Sequence, residues 1–67
     1  MMSFREAMFE IETRYKELSP ERAYDFSSGI IHALEANKEI TPGELSRLED
    51  KNRELYTAYN RRLNEKK

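Results

Sequence analysis

The 67-residue chain contains no cysteine and no tryptophan, and it has two glycines, two prolines and one histidine. Without cysteine there is no disulfide framework and no thiolate to hold a metal, which fits a reducing compartment. Two glycines, at positions 29 and 43, cannot build a phosphate-cradling loop, so nucleotide binding has no support. No apolar run approaches the roughly 18 residues needed to span a bilayer. The N-terminus lacks the basic-then-apolar order of a secretory signal, so a cytoplasmic location is expected. Scarce glycine and proline also argue against a turn-rich sheet.

What remains is 37% charged and 37% hydrophobic, a balance that suits amphipathic helices. The apolar residues are too regularly spaced for a disordered tail. A chain this short forms one domain, residues 1–67. It buries only about 60% of its unfolded surface, so it must pack well or associate with copies of itself.

Local start and stop signals divide the chain into three helices. Ser3 with Glu6 three residues later forms a capping box, and so do Thr41 and Glu44. Pro42 stands at the first helical position after Thr41, with Ile40 and Leu45 placed for a hydrophobic staple. Ser19-Pro20 stops the first helix near Leu18 and reads as the cap and first residue of the second; a kink in one long helix is the alternative. Asn37 tolerates the left-handed conformation that closes many helices. The expectation is an all-α, antiparallel three-helix bundle with helices at about 4–18, 20–36 and 42–64, a central hairpin of helices two and three, and a frayed C-terminal end.

Spacing assigns the faces. Phe4, Met8, Ile11, Tyr15 and Leu18 form one seam, with Phe9 beside it. Ala23, Phe26, Ile30, Ala33 and Leu34 form the second stripe, with Ser27 inside it, Tyr24 and Ile31 on its flank, and Asp25, Ser28, His32 and Glu35 opposite. The run Ser27-Ser28-Gly29 suggests close approach of another backbone, the alternative being a flexible point. Leu45, Leu48, Asn52, Leu55, Tyr59 and Leu63 form the third. Asn52 occupies a core-type position; it is expected to reach solvent, the alternative being a register-fixing polar group in a self-associating seam. Glu10–Arg14, Glu12–Lys16 and Glu49–Arg53 are four apart in the favourable order, each worth about 0.2–0.5 kcal/mol.

Chemistry is sparse. His32 has Ser28 four residues before it, but no acid is close enough to orient it, and no metal-ligand spacing occurs. No catalytic, cofactor-binding or metal residue is assigned, and no enzyme activity or small-molecule substrate is expected. Charge is distributed unevenly: residues 1–50 hold six Lys/Arg against eleven Asp/Glu, and residues 51–67 hold six against two. The plainer reading is complementarity to the helix dipole; the sharper one is a surface for an acidic partner or nucleic acid. The candidate interaction residues are Phe9, Lys51, Arg53, Tyr56, Tyr59, Arg61 and Arg62. Arginines can neutralise phosphates and tyrosines can stack on bases, although a pI near 5.8 and the acidic first half oppose this.

From Ile31 onward, a short polar turn followed by a long helix, with Glu54-Leu55-Tyr56, Arg61, Arg62 and Leu63 near its end, resembles the Rop family of plasmid-encoded RNA-binding helical hairpins. In that family the RNA contacts lie on the first helices of a dimer, and no positions here match them, so no site is carried over. More broadly the chain resembles the compact helical regulators of temperate phages and plasmids. Residues and resemblance together lead to one expectation: a non-enzymatic regulatory protein that binds a protein partner as a homodimer. Nucleic-acid binding through the basic end of helix three is the alternative.

Overall fold

The structure, a computed structural model, describes residues 2–65. Three helices, α1 (Phe4–Glu17), α2 (Pro20–Ala36) and α3 (Pro42–Glu65), pack as an antiparallel bundle in which α2 and α3 share the most extensive contact. The bundle is elongated, 42 × 19 × 16 Å. The frayed end expected at Lys66 and Lys67 lies outside the described residues.

The helix boundaries follow from local hydrogen bonding. Glu6 N–H donates to Ser3 Oγ (3.1 Å) and Ser3 N–H donates back to Glu6 Oε1 (3.2 Å). The same reciprocal pair forms at α3, Glu44 N–H to Thr41 Oγ1 (3.1 Å) and Thr41 N–H to Glu44 Oε1 (3.0 Å). Each box satisfies two donors that a helix start leaves open. Both boxes hold a carboxylate against backbone N–H; at the first, the Ser3 backbone and then its hydroxyl hold the Glu6 carboxyl below its ordinary value.

Ser19-Pro20 is a true break: Leu18 and Ser19 are both extended, and Pro20 opens α2. The Ser19 side chain makes no capping bond, however, so the proline alone defines this start. The left-handed residue after α2 is Lys38 (φ 55°), not Asn37. Glu39 N–H donates to Leu34 O (2.9 Å) and Lys38 N–H to Glu35 O (3.0 Å), the paired bonds of a Schellman closure. Asn37 contributes otherwise, donating from Nδ2 to Ala33 O (2.9 Å).

The core consists of Ala7, Ile11 and Tyr15 from α1, Ala23, Ile31 and Leu34 from α2, and Leu48 from α3. On α2 this corrects the expected stripe by about a fifth of a turn. The buried line is Pro20, Ala23, Ser27, Ile31 and Leu34, while Phe26 is 51% exposed and Ala33 faces out. Room near the axis of three close-packed helices is limited, and a line with alanine and serine admits closer backbones than one with phenylalanine. The close approach falls on Ser27, fully buried, and not on Gly29, which is exposed with open space where a Cβ would stand. Asn52 is only 3% exposed, so the expectation that it reaches solvent is also overturned.

Of the expected ion pairs, Glu10–Arg14 forms at 2.6 Å. Arg53 pairs with Asp50 (3.6 Å) in place of Glu49, and Glu12–Lys16 is not formed. Pairs this exposed contribute little either way.

Glycine thus stands where alanine would fit, and lysine where glycine would. Gly29→Ala and Lys38→Gly should each raise stability by about 1 kcal/mol, while Thr41→Ala should lower it by about 0.5–2 kcal/mol and Ser19→Ala leave it nearly unchanged. Urea denaturation of the four variants measures all of these.

Candidate interaction surface

Behind the surface lies a buried polar knot. The Tyr15 hydroxyl, carried on α1, donates toward Asn52 on α3, reaching both Oδ1 (2.7 Å) and the backbone O (3.0 Å). Asn52 Nδ2 then donates to two acceptors on α2, Tyr24 O and Ser28 Oγ, each at 3.4 Å. One amide side chain of α3 therefore bonds to both other helices. Ser28, assigned to the polar face by spacing, is turned partly inward by this bond. Burial, with Tyr24 and Tyr56 contributing next, pushes the Tyr15 phenol well above its ordinary value of 10.0. A phenolate there would face two acceptor oxygens with no proton to share.

Over the knot, Tyr24 and Tyr56 meet edge to face, with ring centroids 5.2 Å apart and planes at 64°. They floor an open groove of about 480 Å³ between α2 and α3, flanked by Glu21, Asp25 and Arg53. A smaller depression of about 110 Å³ continues from Tyr24 along Ser28, His32 and Glu49. Farther along α3, shallow grooves reach Arg61 and Asn64. None of these grooves is lined by an α1 residue. The whole α2–α3 face points away from α1.

The seven candidate residues divide among several places. Arg53, Tyr56 and Arg61 line the α2–α3 grooves. Tyr59 is half-buried against Tyr15, ring centroids 5.7 Å apart, and the Arg62 guanidinium lies 5.5 Å from the centre of the Tyr59 ring. Lys51, two residues from Arg53 and so about 200° around the helix, is half-buried on the opposite flank. Phe9, 67% exposed, lies apart from these grooves on the outer side of α1, in a depression it shares with Met2, Arg5, Glu6 and Glu10.

Two acidic residues of the groove, Glu21 and Asp25, were not among the candidates. The signal available was their spacing on α2, four apart, with Glu21 three residues before Tyr24 and Asp25 directly after it. Arg14 was likewise missed as more than a pair for Glu10. It also approaches Glu17 (3.4 Å) and lies 5.0 Å over the Phe26 ring, covering part of that exposed aromatic. The Glu10 hydrogen bond raises its pKa further above the ordinary range.

His32 is exposed, and among the described residues no group of three or more acidic or histidine side chains is placed to hold a metal. No described helix is long and apolar enough to cross a membrane. Comparison with models of protein families, with curated proteins and with solved structures returns no match for this chain.

The raised Tyr15 pKa fixes the sign of a pH effect. The unfolded chain ionises this phenol near 10.0 and the folded chain at higher pH, so its contribution is complete below that value and is lost as pH rises beyond it. Stability measured by urea should therefore fall steeply above about pH 10, and more steeply than in Tyr15→Phe, which has no such proton to lose.

Proposed function

We propose that the chain is a non-enzymatic regulatory protein that binds a protein partner and works as a homodimer, of the kind temperate phages and plasmids encode. One observation carries this reading: exposed aromatic surface lies on two opposite sides of a bundle too small to enclose a substrate. The Tyr24–Tyr56 groove opens on the side away from α1, and Phe9 projects from the outer side of α1. Two opposed surfaces let one molecule hold a second copy and a foreign protein at once. Aromatic residues are favoured at such contacts because they bury much area with few torsions to fix. Nucleic acid is the less favoured ligand. Tyr59 already packs on Tyr15, Arg53 is paired with Asp50, and Glu21 and Asp25 flank the face that a phosphate backbone would approach.

Affinity capture from the native host with the wild-type chain and with Phe9→Asp tests the reading. A surface change of this sort should alter stability by less than about 0.5 kcal/mol. The wild type should retain a discrete protein that the variant loses. Equal retention by both, or retention only of RNA or DNA through binding that weakens with salt, contradicts it.

A further inference from the structure

The three helices differ in length: 14, 17 and 24 residues. Tyr15 meets Tyr59 near the end of α1, and Tyr24 meets Tyr56 near the start of α2. The α1–α2 turn therefore lies level with about Asn60, and the last turns of α3 run past it. Burial agrees. Leu63 continues the inward stripe of Leu48, Asn52, Leu55 and Tyr59, yet it is 47% exposed, and Arg61, Arg62 and Asn64 are exposed around it. This overhang is an apolar residue flanked by two arginines.

The groove beside it has the opposite character. Its floor is Tyr24 and Tyr56 and its wall carries Glu21 and Asp25. Its one cation, Arg53, is already beside Asp50. Among the described residues, Glu21, Asp25, Arg61 and Arg62 take part in no ion pair within their own molecule. One surface of the chain thus complements another in both charge and polarity, and the two lie near the same end.

We propose that this groove is occupied by the overhanging end of α3 from a second copy of the chain, with Leu63 of one molecule on Tyr24 and Tyr56 of the other and Arg61 and Arg62 facing Glu21 and Asp25. The arrangement is isologous: each copy offers one groove and one overhang, so two contacts form around a two-fold axis and the assembly closes as a dimer. The inference rests on the reading that the chain self-associates and names the surface by which it does so. The dimer leaves Phe9 free on the far side of each copy.

Charge reversal gives a test with internal rescue. Glu21→Lys with Asp25→Lys makes a groove that repels the overhang; Arg61→Glu with Arg62→Glu makes an overhang that repels the groove. All four side chains are exposed, so both variants should keep the helical circular-dichroism signal. Sedimentation should show the wild type at twice the 8.0 kDa chain mass, dissociating as salt rises. Each variant alone, and Leu63→Asp, should sediment as a monomer, with the dissociation constant raised by about tenfold or more. An equimolar mixture of the two reversed variants should recover a dimer, since each groove then meets an overhang of opposite sign. If both variants remain dimeric, or the mixture stays monomeric, this interface is wrong while self-association by another face survives. A wild type that is monomeric at every concentration removes both.

Discussion

A single buried amide holds this fold in register. Among the described residues, Asn52 on α3 is the side chain that hydrogen-bonds to both other helices, accepting from the Tyr15 hydroxyl of α1 and donating to Tyr24 O and Ser28 Oγ of α2. An apolar residue at this position would pack adequately in several rotations of α3. An amide cannot, because each alternative leaves buried donors and acceptors unpaired at about 1–3 kcal/mol apiece. The cost of burying polarity is accepted, and what it secures is a fixed rotation and a fixed height of α3 against its neighbours.

The outer surface inherits that register. Because Asn52 fixes α3 against Tyr24, Tyr56 one turn later meets the Tyr24 ring, and Tyr59 meets Tyr15. The groove floor, the flanking Glu21 and Asp25, and the overhang that carries Leu63 all follow from one helix being longer than the others and held at one height. The fold and the proposed contact surface are thus two consequences of the same constraint. A domain of this size has little apolar surface to bury, so an external partner or a second copy that covers the aromatic groove also adds to its stability.

The helices were legible in the sequence because their ends are local. Ser3–Glu6, Thr41–Glu44 and Ser19-Pro20 act within a few residues, and each boundary fell within one residue of its expected place. What was not legible depends on three bodies meeting. Phe26 looked like core by spacing, but the axis accepted the smaller Ala23 and Ser27 and left Phe26 beneath Arg14. Asn52 was assigned to solvent because its partner, Tyr15, stands 37 residues away and no spacing rule links them. Arg53 had two acids within reach, three and four residues back, and spacing alone did not decide between them; the contact formed is with Asp50. The interaction residues divided in the same way. Arg53, Tyr56 and Arg61 came together, Tyr59 was drawn inward, and Glu21 and Asp25 entered from α2, where spacing had placed Asp25 opposite the apolar stripe.

The role given to Asn52 is best tested by a double-mutant cycle with Tyr15→Phe and Asn52→Ala, each measured alone and together by urea denaturation. The hydrogen bond across 37 residues predicts a coupling energy of about 1 kcal/mol or more. Additive effects, within about 0.3 kcal/mol, would mean that the two groups do not act on each other and that something else sets the register of the bundle.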